Sequence, residues 1–209
     1  MYQNEKELIP RILHSVWVGG NEKPKAITDC IDSWKKFCPD YQIIECNEHN
    51  FDVESNAVVK EAIKQRNWAL ASDVIRLWAV YTHGGIYLDT DAEIIRPLDD
   101  FLKYEAFIGY ENRIWLNPAT FGAVKNHEFF GFCLKRYYYG GQINFSPNAL
   151  TVHTYGVVLK HLYGVKQKGK SVILDNGIAV FSEDYFCTQN YMTFKLKLTE
   201  NSYVIHHYT

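Results

Sequence analysis

The fold of this chain is decided by the stretch GGIYLDTD, residues 84–91. Three consecutive apolar residues at 86–88 predict a short buried strand. The two glycines before it can end a preceding helix through a left-handed C-cap. Two carboxylates, Asp89 and Asp91, follow the strand directly. The stretch therefore predicts a helix, a sharp stop, a buried strand and an acidic pair at the carboxyl end of that strand.

Helical and extended patterns alternate on both sides of this stretch. The other predicted elements are, in chain order, a strand at 12–18, a helix at 25–37, a strand at 41–46, a helix at 58–81, strands at 106–109 and 119–124, helices at 127–138 and 148–163, and strands at 171–174 and 203–206. This alternation predicts an α/β domain with a largely parallel sheet. Ligands of such sheets bind beyond the carboxyl ends of the strands, where Asp89 and Asp91 lie.

Length and composition are those of one ordinary globular domain. The chain has 209 residues, 47% hydrophobic and 22% charged, which fits a single core and excludes a disordered tail. A net charge of −2 argues against a nucleic-acid binder, which needs a basic surface. Neither a signal peptide nor an apolar run of roughly 18 residues is evident. Five cysteines without a C-x-x-C pair predict buried, reduced thiols. We expect a cytoplasmic protein.

The acidic pair is the first candidate site. Asp89 and Asp91 are one residue apart where a strand leaves the sheet, so both can turn towards one point. Mg²⁺ and Mn²⁺ prefer oxygen ligands and often complete their coordination with substrate phosphates. A metal held there would neutralise the charge of a leaving diphosphate. A bare D-x-D is more often a solvated turn, but the buried strand and the two glycines before it favour a metal site.

A second candidate lies on the long predicted helix, in the segment ASDVIR at 71–76. Asp73 and Arg76 are three residues apart and are therefore neighbours on one helix surface. Spacing alone favours an exposed ion pair that contributes ~0–1 kcal/mol. The alternative is a carboxylate and a guanidinium that hydrogen-bond the hydroxyls of a sugar.

The two ends of the chain add further candidates. Trp17, in HSVWVGG at 14–20, is either a core residue or a flat surface on which a nucleotide base stacks. The closing VIHHY at 204–208 places two histidines on a terminal strand. Such a pair is usually structural, but an imidazole delivered to a carboxylate-bound metal is the alternative.

Together and in this order, these segments resemble the D-x-D sugar-transferases of glycosyltransferase family 32. The matching text is IPRILHSVWVGG at 9–20, ALASDVIRLWAVYTHGGIYLDTDAEIIRPLDDF at 69–101 and VIHHY at 204–208. The glucosyltransferase domains of the large clostridial toxins are similar at a greater distance. The resemblance implies a GT-A fold, in which a Rossmann-like nucleotide-binding half merges with an acceptor-binding half. It also implies retaining transfer from a nucleotide sugar, usually a UDP-hexose, with Mn²⁺ or Mg²⁺.

The resemblance also implies roles for individual residues. Those implied to contact the nucleotide sugar are the backbone of Val16 and the ring of Trp17 at the base, Asp73 and Arg76 at the donor sugar, Tyr87, Asp89 at the ribose, and Asn117 in WLNPATFGA. Those implied to hold the metal are Asp89, Asp91 and His206, with His207 as the alternative to His206. The implied catalytic set is Asp73, Arg76, Asp89 and Asp91. The segment at 146–151 resembles the family's G-P-x-x-x-T motif with Ser146 in place of glycine, so its role is less secure.

The biological role follows only from the resemblance. Small relatives build bacterial capsule, O-antigen or other surface polysaccharides on lipid-linked saccharide acceptors, either in the cytoplasm or peripherally at the inner face of the cytoplasmic membrane. Family members continue past the histidine with a Gly-Ser-Trp-like segment that closes over the diphosphate. This sequence ends at Thr209. We therefore expect one domain over 1–209 that is either truncated or lacks the closing element.

Two other functions stay open at this point. A phosphatase or phosphotransferase with an aspartate nucleophile also places D-x-D after an apolar strand. Those sequences resemble D-x-D-x-T/V near the start of the chain, whereas Glu93 occupies the last position here. The third function is a sugar- or nucleotide-binding module without catalysis. Phosphate release from an aryl phosphate would identify the phosphatase, and donor binding without transfer or donor hydrolysis would identify the module.

Overall fold

The computed structural model describes residues 6–139, 155–156, 158–160, 163–165 and 169–209. Its elements are, in chain order, β1 Ile12–Val16, α1 Lys25–Phe37, β2 Gln42–Cys46, α2 Ala57–Lys64, α3 Trp68–His83, β3 Gly85–Leu88, β4 Ala92–Ile94, β5 Ala106–Tyr110, β6 Leu116–Ala123, α4 Glu128–Tyr139, β7 Val172–Ile173, β8 Ile178–Phe181 and β9 Val204–His206. Short 3₁₀ turns lie at Val53–Ser55 and Asp99–Phe101. The segment at 146–151 and most of the helix predicted at 148–163 lie outside the described residues. No helix in the described part of the chain is long and apolar enough to cross a membrane.

A seven-stranded sheet forms the centre of the described structure, in the order β2-β1-β3-β6-β5-β8-β7. β1 pairs in parallel with β2 and β3, and β5 pairs in parallel with β8. β6 runs antiparallel between β3 and β5, and β7 runs antiparallel at the edge. Five of the seven strands therefore point the same way, which confirms the predicted α/β class with a mainly parallel sheet. β4 and β9 form a separate antiparallel pair.

Apolar side chains pack on both faces of this sheet. On one face, α2, α3 and α4 cover a buried cluster that includes Tyr87 and Phe121. On the other face, α1 and the C-terminal strand cover a cluster that includes Ile86, Leu88 and Phe107. Side chains alternate across a strand, so β3 contributes to both layers. Burial on both faces explains why this strand is an uninterrupted apolar run in the sequence. The five cysteines are all buried and unpaired, as predicted.

The single helix predicted at 58–81 is wrong, because the structure has two helices there. Arg66 takes a left-handed φ of 55°, which interrupts the helical path between α2 and α3. The Asn67 side chain then caps α3 by accepting the Leu70 N–H at 3.2 Å. The apolar residues whose spacing indicated the helix all lie between 70 and 81, within α3. The prediction therefore extended a correct helix too far towards its N-terminus.

Two strands, β4 and β8, were not predicted. β4 is only three residues long, with Glu93 at its centre, so it has no apolar run that could mark it. β8 is a fully buried apolar run that pairs in parallel with β5. The predicted strands otherwise agree with the observed ones to within three residues at each end.

The two glycines before β3 are required by backbone geometry and by packing. Gly84 has a φ of 72° and a ψ of −177°, and its N–H donates to the Val80 carbonyl at 2.9 Å. The predicted left-handed cap is therefore wrong in ψ, although the positive φ still favours glycine at this position. Gly85 has a φ of 104°. A Cβ on Gly84 would lie 2.9 Å from the backbone nitrogen of Lys125, and one on Gly85 would lie 2.7 Å from the carbonyl oxygen of Ile12. The glycines thus let β3 lie close against its neighbours and fix where the chain reaches Asp89.

Candidate active site

The two carboxylates lie where the chain leaves β3. The Asp89 N–H donates to the Ala119 carbonyl at 2.8 Å, which anchors this point on β6. The Ala92 N–H donates to the Asp89 carbonyl at 2.9 Å and closes a tight turn into β4. Asp91 is buried, and the Asp89 side chain is 22% exposed. The turn directs one largely buried carboxylate and one accessible carboxylate to the same edge of the sheet.

The C-terminal strand brings a histidine to these carboxylates. In the β4–β9 pair, Ala92 lies opposite His206. The Nε2 atom of His206 is 3.2 Å from Oδ1 of Asp91 and 3.8 Å from Oδ2 of Asp89. One potential ligand atom from each of the three side chains lies within 4.8 Å of the other two. Two carboxylates and an imidazole supply the oxygen and nitrogen ligands that suit Mn²⁺, or Mg²⁺ through the oxygens.

The neighbouring histidine faces a different group. The Nε2 atom of His207 is 2.9 Å from Oε2 of Glu93, and its side chain is 34% exposed. Successive side chains of a strand point to opposite faces, so the two histidines cannot both face Asp91. The geometry therefore favours His206 over His207, a choice that the sequence left open.

Asp91 and His206 each shift the titration of the other. Burial opposes ionisation of Asp91, but hydrogen bonds from His206 and from the Thr209 N–H at 2.8 Å outweigh it and lower the pKa of Asp91. Burial also opposes protonation of His206, but Asp91, Asp89 and Glu111 outweigh it and raise the pKa of His206. The carboxylates thus favour a positive charge at the imidazole. A cation-binding site requires this electrostatic preference.

Asp73 and Arg76 belong to a buried network, so the exposed ion pair that their spacing favoured is wrong. The Nη2 atom of Arg76 is 3.1 Å from Oδ1 of Asp73, and Nη1 is 3.2 Å from Oδ1 of Asp89. The guanidinium also donates to the Ser72 carbonyl at 3.2 Å and the Pro118 carbonyl at 2.9 Å. The hydrogen bond to Pro118 shows the reason: β6 covers this side of α3. Helical spacing gives no information about that covering strand.

Tyr87 joins this network to Asp89. Its hydroxyl donates to Oδ1 of Asp89 at 2.5 Å and lies 3.4 Å from the Ser72 hydroxyl. The Arg76 guanidinium lies 5.0 Å from the centroid of the Tyr87 ring. Burial raises the pKa of Tyr87 well above its usual value, so the hydroxyl keeps its proton. Arg76 and Tyr87 together hold Oδ1 of Asp89, and Oδ2 is the oxygen that faces His206.

Asn117 lies in β6 beside the same network. Its side chain is completely buried, and its Oδ1 accepts the Ala119 N–H at 2.7 Å. Its Nδ2 has no hydrogen-bond partner among the described residues. Leaving a buried donor unsatisfied costs about 1–3 kcal/mol, so a ligand oxygen at this position would be favoured. This observation is compatible with the predicted contact to the donor sugar.

Trp17 follows β1, the strand next to β3. Its backbone N–H donates to the Cys46 carbonyl at 3.0 Å and extends the β1–β2 ladder from Val16. Its side chain is partly exposed, and the indole N–H donates to the Asn21 carbonyl at 2.7 Å. The Lys23 ammonium lies 5.2 Å from the ring centroid. The ring is therefore not a core residue. Since β1 and β3 are parallel, it lies at the same sheet edge as Asp89.

Sequence reasoning missed two side chains of this site, Glu111 and Tyr208. The ring centroids of Tyr208 and His206 are 4.0 Å apart. Burial raises the pKa of Glu111, and a positive charge on His206 and a hydrogen bond with Tyr208 counteract part of this rise. Glu111 follows β5 and belongs to no motif, so only the fold could place it here. Tyr208 stands in the quoted VIHHY segment, but nothing there indicated its contact with the histidine.

Residues 24–108 match the model of a known family, described as a glycosyltransferase sugar-binding region containing a DXD motif. The matched range includes the Asp73–Arg76 pair and the acidic pair at 89–91. This part of the chain is therefore similar to the sugar-binding region of DXD glycosyltransferases. The resemblance that the sequence indicated is thereby confirmed.

Two curated relatives are themselves glycosyltransferases by name. Inositol phosphoceramide mannosyltransferase 3 of Schizosaccharomyces pombe is 29% identical over 145 residues, which cover 62% of this chain and 37% of the relative. Alpha-1,4-N-acetylglucosaminyltransferase of Homo sapiens is 32% identical over 77 residues, which cover 36% of this chain and 22% of the relative. The matched part of this chain therefore spans well under half the length of each of these proteins.

A solved structure shares the fold. The structure named PaToxG Glycosyltransferase superposes with a TM-score of 0.60 at 19% sequence identity, covering 76% of this chain and 70% of that one. At this level of identity the likeness concerns the fold alone. It confirms the GT-A class predicted for this chain.

Proposed function

We propose that this glycosyltransferase transfers a hexose from a nucleotide sugar to a saccharide or lipid-linked acceptor, with a divalent metal and with retention of the anomeric configuration. The observation that carries the proposal is the convergence of ligand atoms from Asp89, Asp91 and His206 within 4.8 Å. The relatives' names, which specify mannosyl and N-acetylglucosaminyl transfer, support a hexose donor. The inositol phosphoceramide in one of those names supports a lipid acceptor.

The uridine base and the role in bacterial surface-polysaccharide synthesis stay predictions. Both came from the resemblance in the sequence, and the two relatives reported above are from a yeast and from human. The nucleotide base and the acceptor are therefore variables of the experiment described below.

The metal would be held by Asp91, His206 and Oδ2 of Asp89. The residues fit such an ion, because the carboxylates already raise the pKa of His206 and so favour positive charge at this point. A divalent ion held there supplies the charge that stabilises the diphosphate as it leaves. His206 must give up its proton before its Nε2 can bind a metal, so metal affinity is expected to rise with pH.

On the α3 side, Arg76 acts as a positioning residue. Its guanidinium is held by backbone carbonyls of Ser72 and Pro118, and it fixes the carboxylates of Asp73 and Asp89. Carboxylates fixed in this way can orient the hydroxyls of the donor sugar without reorganising during the reaction. We propose Asp73 as the sugar contact, with the unpartnered amide of Asn117 as a second one.

On the β1 side, Trp17 would stack on the nucleotide base. Such stacking contributes ~1–3 kcal/mol per base in other nucleotide sites. The backbone of Val16, which ends β1, would hydrogen-bond the edge of the base. The ring lies at the same edge of the sheet as Asp89, so a nucleotide on Trp17 would direct its phosphates towards the acidic pair.

The proposed reaction requires no protein nucleophile. The bond between the anomeric carbon and the leaving phosphate oxygen breaks, and a bond from the anomeric carbon to the acceptor oxygen forms on the same face. The acceptor hydroxyl proton passes to the leaving phosphate oxygen. The protein residues contribute by holding donor and acceptor in register and by placing charge where the diphosphate forms.

The test is isothermal titration of UDP, GDP and their hexose derivatives, with and without Mn²⁺. The proteins compared are wild type, Asp91→Ala and the control Glu93→Ala, which removes a carboxylate from the adjacent strand β4. We expect metal-dependent binding of one nucleotide series by wild type and Glu93→Ala, with a loss of at least tenfold in Asp91→Ala. Binding that is equal with and without metal would contradict the metal site.

The nucleotide sugar that binds most tightly would then be used to test transfer. NMR of the product with a lipid-linked or free saccharide acceptor should show retention at the anomeric carbon. An inverted product would refute the retaining assignment, and a trapped glycosyl-enzyme would refute the front-face route. Donor binding with neither transfer nor donor hydrolysis would refute the enzyme assignment in favour of a binding module. Phosphate release from an aryl phosphate would instead indicate the phosphatase.

A further inference from the structure

A hairpin at residues 189–198 exposes an unusual amount of apolar surface. Gln189 and Leu196 form an antiparallel bridge, and the Phe194 N–H donates to the Asn190 carbonyl at 2.8 Å across the turn. The large apolar side chains exposed on this hairpin are Tyr191 at 47%, Met192 at 73%, Phe194 at 59%, Leu196 at 50% and Leu198 at 53%. Scattered exposed apolar residues are normal on protein surfaces, but five within eight residues form a patch that indicates an interaction site.

The turn itself does not explain the aromatic residue at its tip. Phe194 has a φ of 53°, in the left-handed region that glycine and asparagine adopt at least cost. A bulky residue there is strained, and its ring is more than half exposed, so it contributes little to the core. Neither turn chemistry nor burial accounts for a phenylalanine at this position. A contact outside the folded chain would account for it.

Two lysines alternate with the apolar residues on the second arm of the hairpin. Lys195 and Lys197 are both exposed, and they are interleaved with Leu196 and Leu198. Alternation along an extended arm points the leucines and the lysines to opposite sides of the arm, so a hairpin that meets a surface with its tip brings both sets to that surface. The chain as a whole has a net charge of −2, so these lysines are a local departure from its overall charge. Lysine stems can lie along apolar surface while the ammonium groups reach towards anions.

Apolar side chains beside lysines match the boundary between the headgroups and acyl chains of an anionic bilayer. The apolar residues would enter the acyl boundary and the ammonium groups would contact anionic headgroups. A second copy of this chain fits less well, because a symmetric contact would bring the lysines of both copies together. The charge pattern therefore favours a lipid surface over self-association.

The hairpin also contacts the two residues that follow β9, the strand that carries the candidate metal ligand His206. The ring centroids of Tyr191 and Tyr208 are 6.3 Å apart, and Tyr208 lies 4.0 Å from the His206 ring. The Gln189 side chain donates to the His207 carbonyl at 3.5 Å. A surface bound through the hairpin would therefore lie next to the candidate active site.

We propose that the 189–198 hairpin docks this protein on an anionic membrane surface and so places the candidate active site beside lipid-linked acceptors. Membrane docking itself does not depend on the transfer reaction. Only the consequence for the acceptor rests on the proposed function.

The test is co-sedimentation of the protein with vesicles, in the absence of nucleotide and metal. Vesicles of phosphatidylcholine alone are compared with vesicles that also contain phosphatidylglycerol. We expect wild type to bind only the anionic vesicles, and to bind less at high salt because headgroup attraction is screened. Lys195→Gln combined with Lys197→Gln should weaken binding roughly fivefold for each lysine.

Phe194→Asn separates membrane binding from folding. Asparagine tolerates the left-handed φ, so the variant should be as stable as wild type in urea, yet its vesicle affinity should fall on the order of tenfold. Ile173→Thr is the matched control, since Ile173 is 62% exposed on β7 and the replacement keeps a β-branched side chain. Its vesicle binding should equal that of wild type.

Three results would overturn the proposal. The first is that wild type does not bind anionic vesicles. The second is that Phe194→Asn binds these vesicles as tightly as wild type. The third is that Phe194→Asn and Ile173→Thr lose vesicle affinity equally. A dimer seen by light scattering that Phe194→Asn abolishes, without vesicle binding, would assign the surface to a second copy and overturn it as well. Vesicle binding without nucleotide binding would refute the transfer function alone, and the reverse result would refute only the docking surface.

Discussion

The two halves of the candidate site differ in how completely their polar groups are paired. On the α3 side, Arg76 contacts Asp73, Asp89 and two backbone carbonyls, which form a closed network. On the β9 side, His206 and Asp91 face each other, and the Nδ1 atom of His206 is buried without a partner among the described residues. From this difference we infer that the α3 side fixes the positions of the carboxylates and that the β9 side binds a ligand. Substitutions should therefore affect stability in the first half and metal binding in the second.

The largest effect is expected from Arg76→Leu. Removing the guanidinium takes a buried positive charge away from the carboxylates of Asp73 and Asp89, and breaking a buried pair in this way costs roughly 3–5 kcal/mol. The free energy of unfolding from urea titrations measures the loss. Arg136→Leu, at an exposed position of α4, is the control and should change stability by no more than about 0.5 kcal/mol. A loss below ~1 kcal/mol for Arg76→Leu would show that the network is not structural.

His14, on β1, is a buried titratable side chain like Arg76, but it is buried in its neutral form. His14 donates from Nε2 to the Gly84 carbonyl at 2.8 Å, and burial lowers the pKa of His14 to about 4. The unfolded chain, with the ordinary histidine pKa of about 6.5, takes up the proton first as the pH falls. Stability attributable to His14 is therefore complete above about pH 6.5 and decreases by ~3 kcal/mol as the pH falls to about 4.

Urea unfolding between these pH values tests the sign and the size of this effect. His14→Gln can still donate to the carbonyl but has no titratable group, so its stability should fall less steeply than that of wild type over the same range. Carboxylates titrate equally in both proteins and cancel in the difference. Parallel pH profiles would contradict the assignment of a neutral buried imidazole.

Metal binding should stabilise the protein through the three candidate ligands, Asp89, Asp91 and His206. At a Mn²⁺ concentration a hundredfold above its Kd, a site present only in the folded state raises the free energy of unfolding by ~2.7 kcal/mol. Wild type and Glu93→Gln should both show this increase. Asp91→Asn should not, although its amide oxygen can still accept the Thr209 N–H. Equal stabilisation of all three proteins would mean that Mn²⁺ binds elsewhere.

The smallest effect is expected from His207→Ala. The His207–Glu93 pair is partly exposed, and such pairs contribute ~0–1 kcal/mol. The free energy of unfolding should change by less than about 1 kcal/mol. A larger loss would show that this half of the site also contains a structural pair.

The sequence predicted the parts of the fold that are marked by local chemistry. The helix at Lys25–Phe37 was found because Ile27, Ile31 and Trp34 recur with helical spacing and Pro39 follows it. The acidic pair was placed correctly because two glycines and an apolar strand precede it. In each case the deciding residues lie within a dozen positions of one another.

The sequence could not predict features that depend on pairing between distant segments. The β4–β9 register, with Ala92 opposite His206, joins residues more than a hundred positions apart, and it is what separates His206 from His207. Burial of Arg76 depends on β6 covering α3, and Glu111 reaches the site only through the turn after β5. A three-residue strand with Glu93 at its centre has no pattern of its own, although it positions the histidine.

The most direct test of the central claim is electron paramagnetic resonance titration of Mn²⁺ in the presence of the nucleotide that binds in calorimetry. The comparison is between wild type, His206→Ala and His207→Ala, which remove adjacent imidazoles from the same strand. The account predicts that wild type and His207→Ala bind Mn²⁺ alike, and that His206→Ala binds it at least tenfold more weakly. Wild-type affinity in His206→Ala would contradict the three-residue site.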